Sequence, residues 1–216
     1  LITTSSLHAQ ETISVVIGSK ASPLEKEAAD ELAMQWKRLF GVNVQRFSDK
    51  FPATNSLAVL VGNPDTNPAV AEIVGKTWPK LSDQGIVIRE VPVPVPPRVL
   101  VVGGGSPVAT FWAVCELGHR LGIRYTFRQD FFPPQRPLKL SGLNIVEEPE
   151  LRTRTWRTIN DFAIGPESWG LDEHKSFIRQ LAKMKFNRIL LSVYAWQPFV
   201  DYRFRGVQRQ TALHWF

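Results

Sequence analysis

The stretch Val99-Leu-Val-Val-Gly-Gly-Gly-Ser-Pro-Val-Ala-Thr-Phe-Trp-Ala-Val114 runs an apolar segment into three glycines and then into a helical pattern. Phosphate loops have this order, but the dinucleotide fingerprint needs a third glycine where this chain has Val108. The acidic residue for the ribose is matched only by Asp130, in a loop beyond the next strand. No Gly-Lys-Ser/Thr follows either. We therefore interpret the stretch as a tight strand-to-helix turn with Pro107 near the first helical position, in preference to a nucleotide site.

Strand and helix patterns flank this turn. Ser22, Pro23 and Glu25 form a capping box before a long helix that Gly41 ends. The remaining patterns predict strands at 13–18, 42–46, 57–62, 85–90, 99–102 and 123–127, and helices at 69–76 and 107–121. The proline-rich run 91–97 is predicted to be an extended hairpin linker, with a ligand for a proline-reading domain as the alternative.

The pattern changes after residue 148. Residues 151–159 and 188–193 are strand-like, and 171–185 are helical. A strand, crossover helix and strand form the module of parallel sheets and barrels. Residues 11–148 are thus predicted to be an α+β domain, a small sheet with helices on one face. Residues 149–216 are expected to be the first βαβ unit of an incomplete (β/α)8 barrel, because two strands cannot close a barrel.

The composition indicates a packed protein with dispersed positive charge. Of 216 residues, 44% are apolar, and the net charge of +6 is carried by arginines spread along the chain. No basic run is interleaved with aromatics, so a nucleic-acid partner is not expected. No apolar run approaches the roughly 18 residues of a membrane span. The one cysteine, Cys115, is predicted to be buried in a helix, and no histidine or cysteine cluster suggests a metal, so neither metal nor cofactor is expected.

The first ten residues have no starting methionine and no charged region. The small residue Ala9, before Gln10, matches the end of a secretory signal peptide. We expect residues 1–10 to be a signal-peptide remnant, with a disordered tail as the alternative, and the protein to be secreted or periplasmic.

Residues 99–127, followed by Asp130 and Pro133-Pro134, resemble part of a known enzyme family. They are similar to the end of the small α/β domain that precedes the catalytic barrel in exo-acting glycoside hydrolases of the β-N-acetylhexosaminidase and α-glucuronidase type. There an apolar strand, a small-residue turn, a helix ending in Leu-Gly-x-Arg and a proline-containing loop lead to the barrel. The resemblance implies a hexosaminidase domain-2-like fold for residues 11–148.

Residues 149–157 and 171–193 resemble the barrel opening of the same enzymes. The shared features are a proline, an arginine-bearing first strand, the helix ending Lys183-Met-Lys-Phe-Asn187, and an apolar second strand. The resemblance implies an enzyme that removes terminal hexosamine or uronic acid from a glycan or oligosaccharide. A non-catalytic carbohydrate-binding or surface protein with a degenerate barrel is the alternative.

Sugar-binding residues are expected at the carboxyl ends of the barrel strands. In the hexosaminidase-like families an arginine of the first strand holds hydroxyls of the terminal sugar, and the resemblance assigns this place to Arg154. Arg157 is a second candidate, because alternation puts the two arginines on opposite faces and one of them would only pair with a carboxylate. The resemblance places Asn160 and Asp161 at the rim. Trp196 is a candidate platform for a sugar face, or packs under a loop.

No catalytic residue is assigned within the chain. Hexosaminidases use an adjacent Asp-Glu pair, but Asp172 and Glu173 open a predicted helix, where negative charge favours the helix dipole. In the resembling family the catalytic pair belongs to a later strand, so it is expected beyond Phe216. Residues 1–216 alone are therefore expected to be inactive.

Overall fold

The computed structural model describes residues 11–52, 55–93, 97–140, 142–157, 166, 169–190 and 203–208. The chain divides into two compact units, Leu1–Arg152 and Thr153–Phe216. No helix in the described ranges is long and apolar enough to cross a membrane.

A six-stranded mixed sheet forms the centre of the first unit. Its strands are β1 (Thr12–Ile17), β2 (Asn43–Ser48), β3 (Leu57–Val61), β4 (Ile86–Val91), β5 (Arg98–Gly104) and, after the short strands β6 (Arg124–Tyr125) and β7 (Asp130–Phe131), β8 (Asn144–Glu147). The strand order is β2-β1-β3-β5-β4-β8. The first four strands of this order are parallel, whereas β4 runs antiparallel to both β5 and β8.

Helix α1 (Pro23–Phe40) has the predicted ends. The Ser22 hydroxyl accepts from the Glu25 amide at 3.2 Å, and the Glu25 carboxylate accepts from the Ser22 amide at 2.8 Å, which completes the capping box. Gly41 has a left-handed φ of 66° and donates its N–H to the Lys37 carbonyl. The helix buries Leu32, Trp36 and Leu39 completely, and burial of such a side chain stabilises by about 1.5–3 kcal/mol.

Helices cover both faces of the sheet, so the expectation of helices on one face is wrong. The other helices of the first unit are α2 (Pro68–Val74) and α3 (Pro107–Arg120). A Cβ added to Gly104 would lie 2.5 Å from the Ala109 Cβ of α3, whereas one added to the preceding Gly103 would face Trp78. Trp78 packs with α2 in one core cluster, and successive strand residues point to opposite faces. The apolar side of the short helix α2 therefore covers the second face.

Only the last of the three glycines lies in the turn. Gly103 and Gly104 are the last two residues of β5. A Cβ at Gly103 would lie 1.9 Å from the Gly62 carbonyl oxygen at the end of the adjacent strand, so this position has no room for a side chain. Ser106 then caps α3: its hydroxyl accepts from the Ala109 amide at 3.1 Å and donates to the Asp83 carbonyl at 2.6 Å. Ser106 and Asp83 thus occupy the N-terminus of this helix. Cys115 is buried in the same helix, as predicted.

The predicted strand 123–127 is only partly a strand. Only Arg124 and Tyr125 are in a strand, and they pair with β7 outside the main sheet. Thr126 closes the intervening turn, because both its amide and its hydroxyl donate to the Gln129 carbonyl. This turn pairs β6 with β7, the next strand along the chain.

The second unit contains a parallel strand-helix-strand arrangement, as predicted. Its elements are β9 (Thr155–Arg157), α4 (Leu171–Lys183), β10 (Arg188–Leu190) and a small hairpin of β11 (Arg203–Phe204) and β12 (Val207–Gln208). Strands β9 and β10 pair in parallel, with Trp156 opposite Ile189. Closure of these strands into a barrel stays a prediction.

Candidate functional site

Trp156 determines which face of β9 is turned toward α4. Its ring packs edge-on against Phe177 of α4, with centroids 6.0 Å apart, and against Phe186 at 5.8 Å. Trp169, which precedes α4, packs on Phe177 as well at 5.2 Å. Because side chains alternate along a strand, Thr155 and Arg157 point away from α4.

Arg157 is the last described residue of β9 and lies on this second face. It is exposed, and the parallel register places it opposite Leu190 of β10. Because the two strands are parallel, their carboxyl ends lie at the same edge. In βα-barrels the helices cover the outside, and the active site lies at the carboxyl ends of the strands. If the strands belong to a barrel, Arg157 therefore faces its inside.

Arg154 lies at the opposite, amino-terminal end of β9. Its Nε donates to the Lys185 carbonyl at 2.6 Å, and its amide donates to the Asn187 side-chain oxygen at 2.8 Å. Its own carbonyl accepts from the Asn187 amide at 3.0 Å. Burial lowers the pKa of the Arg154 guanidinium from its ordinary value. These contacts hold the start of β9 against the connection from α4 to β10, so the geometry favours a bracing role, while sugar binding by Arg154 stays a prediction.

The same contacts give the residues after α4 a structural role. Lys185 has a φ of 67°, a left-handed conformation that is uncommon for a residue with a side chain. In this turn its carbonyl accepts from Arg154, and Asn187 uses its side chain to bind the neighbouring strand. The ending Lys183-Met-Lys-Phe-Asn187 therefore has a structural role in this unit.

The remaining predicted site residues, Asn160, Asp161 and Trp196, lie outside the described residues. The pair Asp172 and Glu173 is at a helix start, as expected. Glu173 accepts from the Gly170 amide at 2.7 Å, and Asp172 is fully exposed, 3.8 Å from the Lys175 ammonium group. Within the described ranges no group of three or more histidine, cysteine or acidic side chains suits a metal ion.

The crevice where open α/β sheets bind ligands is filled in the first unit. Such sites lie beyond the carboxyl ends of the strands where the strand order reverses, here between β1 and β3. The Asn67 side-chain amide spans this gap and donates to the carbonyls of Val16 at 3.1 Å and Val61 at 2.9 Å. A Cβ on Gly18 would lie 1.8 Å from the Thr66 carbonyl oxygen. Described groups thus fill the crevice between β1 and β3.

The solved structures that resemble this chain include the following two. One is a family GH115 4-O-methyl-α-glucuronidase, BtGH115A, with specificity for decorated arabinogalactans; it matches 86% of this chain and 25% of its own length, with a TM-score of 0.65 and 16% identity. The other is CpGH84D, which matches 84% of this chain and 27% of its own length, with a TM-score of 0.52 and 13% identity. No family model and no curated protein matches the sequence.

These comparisons show that the chain has a fold like that of glycoside hydrolases. At such low identity they carry the fold alone. The chain spans about a quarter of the length of both structures.

Proposed function

We propose that the chain is part of a secreted or periplasmic exo-acting glycoside hydrolase that removes terminal hexosamine or uronic acid from glycans. In this proposal residues 11–148 form an accessory domain, and residues 149–216 begin the catalytic (β/α)8 barrel. The likeness of the fold to glycoside hydrolases supports it. So does the parallel β9-α4-β10 arrangement, which is the building block of such a barrel.

The observation that carries the proposal is the placement of Arg157. The packing of Trp156 on Phe177 leaves Arg157 on the face of β9 away from α4, which supports a position inside the proposed barrel. A guanidinium presents several N–H donors in a fixed fork, so it can hold two neighbouring sugar hydroxyls or a carboxylate. Arg157 therefore binds the terminal sugar, and Asn160, Asp161 and Trp196, which follow the two strands, complete the same site.

The bond cleavage itself needs two carboxyl groups, one to protonate the leaving oxygen and one to act as nucleophile, base or stabiliser. Asp172 and Glu173 are engaged at the start of α4, so neither is assigned this role. In this proposal the carboxyl groups belong to later strands of the barrel. The residues of this chain bind and orient the terminal sugar.

The test is an assay of the full-length protein on aryl glycosides that differ in the terminal sugar, including β-N-acetylhexosaminides and α-glucuronides. Release of the aryl group from at least one of them is expected. Inactivity on the whole panel would contradict the proposal. Residues 1–216 alone are expected to release none, and hydrolysis by them would contradict the placement of the catalytic groups on later strands.

A carbohydrate-binding protein without catalysis is the second candidate, because an exposed arginine at a strand end can hold a sugar without cleaving it. Calorimetry and hydrolysis assays on the same full-length protein separate the two. Saturable binding of a terminal sugar with no turnover favours the second candidate, whereas turnover excludes it.

A further inference from the structure

The β6–β7 hairpin has one face turned to the interior of the first unit and one exposed face. Tyr125 and Asp130 are opposite each other in the register and share the inner face. There the Tyr125 hydroxyl accepts a hydrogen bond from the Gln35 side chain of α1 at 3.0 Å. Because side chains alternate along a strand, Arg124 and Phe131 point to the other face.

Arg124 and Phe131 form a pair on the exposed face. They are directly opposite each other in the antiparallel register, and the Cβ atoms of such a pair lie about 4.5–5.5 Å apart. Arg124 is exposed, and Phe131 exposes 52% of its surface. The register therefore brings a guanidinium and an aromatic ring side by side. We refer to this pair as the hairpin face.

Backbone carbonyls hold the Arg124 guanidinium in place. Its Nη1 donates to the carbonyls of His119 and Ile123, both at 2.9 Å. Its Nε and Nη2 donate to no group among the described residues. Arg136 donates from Nη2 to the Leu121 carbonyl at 2.8 Å, so a second guanidinium is bound at the same end of α3. The Arg124 guanidinium is thus oriented and keeps donors for a ligand, which lowers the entropic cost of binding.

The surroundings of the hairpin face carry a surplus of positive charge. Residues 121–140 contain one acidic side chain, Asp130, which lies on the inner face and has one carboxylate oxygen buried. The basic side chains of the same range are Arg124, Arg128, Arg136 and Lys139. At the end of α3, Arg120 binds two further carboxylates, those of Glu116 and Glu147. With these three included, basic groups still outnumber acidic ones.

The helix dipole explains only part of this arrangement. The negative end of α3 favours arginines nearby, but it gives no reason for an exposed aromatic ring beside one of them. A ligand with both a carboxylate and an apolar face accounts for both groups, because a guanidinium binds carboxylates and an aromatic ring attracts C–H groups to its negative face. Sugars that carry a carboxylate have both features.

We propose that the hairpin face binds an acidic glycan chain. The free N–H groups of Arg124 bind a uronate carboxylate, and the ring of Phe131 contacts the apolar C–H face of a sugar. The carboxylate and the apolar face follow from the pair itself, whereas the choice of a saccharide rests on the proposed function. In a glycosidase such a surface retains an acidic glycan without taking part in bond cleavage.

The test is calorimetric titration of the 216-residue chain with tetragalacturonate and, as a matched neutral ligand, its methyl ester. The acid is expected to bind at least about tenfold more tightly than the ester, because only the acid offers a charged acceptor to Arg124. Its affinity should also fall as salt is added, since the surface is exposed to solvent. Equal binding of the two ligands, or binding of neither, would overturn the proposal.

Variants locate the site and separate its two parts. Arg124→Gln should weaken tetragalacturonate binding about tenfold and reduce its salt dependence, because one charge is lost. Phe131→Ser should also weaken binding about tenfold but leave the salt dependence unchanged. A folding defect would not produce this difference. The same salt dependence in both variants, or unchanged affinity in either, would contradict the assignment.

Two exposed residues elsewhere in the first unit provide matched controls. Arg46→Gln removes an arginine that is ion-paired with Asp30, and Val108→Ser removes an apolar side chain at the opposite end of α3. Both variants should bind tetragalacturonate like the wild type. A loss in the controls equal to that in the site variants would show that binding is not located at the hairpin face.

An anionic membrane surface would also attract exposed phenylalanine and arginine side chains. Sedimentation with vesicles of phosphatidylglycerol and phosphatidylcholine tests this outcome. The proposal expects tetragalacturonate to bind and the vesicles to leave the protein in the supernatant. Sedimentation of the protein that Phe131→Ser prevents, without binding of tetragalacturonate, would replace the glycan with a lipid surface and overturn the proposal.

These outcomes are separable from those for the proposed function. If the hairpin face binds tetragalacturonate but the full-length protein hydrolyses no aryl glycoside, the proposed hydrolase activity fails and the glycan-binding surface stands. If hydrolysis occurs while the hairpin variants bind tetragalacturonate like the wild type, only the assignment of the hairpin face fails.

Discussion

The Arg154 guanidinium donates from Nε to the Lys185 carbonyl over 2.6 Å and so joins the start of β9 to the turn after α4. Arg157, further along the same strand, is exposed and faces away from that helix. Two arginines three positions apart in the sequence thus have different surroundings. Arg154 is engaged within the unit, whereas sugar binding by Arg157 stays a proposal.

Arg154→Ala should therefore lower stability, and Arg157→Ala should not. Loss of the Arg154 side chain leaves the Lys185 carbonyl without this donor, and a hydrogen bond from a charged group contributes about 1.5–3 kcal/mol. Exposed Arg157 should change the free energy of unfolding by less than about 0.5 kcal/mol. Urea unfolding of the two variants measures both values. Equal destabilisation would contradict the separation of roles.

Asn187→Ala should destabilise the second unit by about 1 kcal/mol, because the Arg154 amide loses its side-chain acceptor at 2.8 Å. The matched control is Asn43→Ala, which removes only a long, exposed bond of 3.4 Å to Thr12 and should have little effect. Urea unfolding followed by tryptophan fluorescence, to which Trp156 contributes along with the other six tryptophans, provides the comparison. An unchanged Asn187→Ala variant would show that the turn holds without this contact.

Gly103→Ala should destabilise the first unit by roughly 1–3 kcal/mol, since overpacking costs of this order arise when added atoms force a backbone shift. The added Cβ would be 1.9 Å from the Gly62 carbonyl oxygen. Gly75→Ala is the matched control, because no atom lies within 4 Å of its Cβ position. Thermal unfolding of both variants tests the packing explanation for the glycine run. If Gly103→Ala unfolds at the same temperature as the wild type, the packing explanation for this glycine is wrong.

Stability should decrease at alkaline pH through Tyr125. Burial raises the pKa of its phenol above the ordinary value, and nearby Cys115, Glu31 and Asp130 raise it further. Above pH 10 the unfolded chain therefore loses this proton while the folded chain keeps it, so stability is full below about pH 10 and is lost as pH rises beyond it.

The free energy of unfolding should fall less at alkaline pH in the Tyr125→Phe variant than in the wild type. Each protein is compared with its own stability at neutral pH, because the variant also loses the hydrogen bond from Gln35. Urea midpoints between pH 8 and about pH 11 give the two slopes. Identical slopes would mean that Tyr125 ionises equally in both states.

Local signals in the sequence predicted much of the fold. Ser22, Glu25 and Gly41 determine the ends of α1 through contacts with near neighbours, and such contacts can be read from spacing. The pairing of β6 could not be read in this way, because it depends on the turn at Thr126 and not on the strand's own composition. The placement of α2 on the second face likewise depends on tertiary packing.

The candidate site was only partly predictable. Alternation separated Arg154 from Arg157, but which of them faces a helix became clear only from the contacts of Trp156. The aromatic residues Trp156, Phe177 and Phe186 are a signal in the sequence that could have indicated the helix-facing side. The contact of Arg89 with Asn144 gave no such signal, because strand order brings these two residues together across 55 residues of chain.

The most direct test of the central claim is the kcat/KM of the full-length protein, wild type and Arg157→Ala, on aryl β-N-acetylhexosaminides and aryl α-glucuronides. The account predicts hydrolysis of at least one class by the wild type. It also predicts a loss of about tenfold to a hundredfold in the variant, the range expected when a charged hydrogen-bond donor to the sugar is removed. No hydrolysis by the wild type, or an Arg157→Ala variant as active as the wild type, would contradict it.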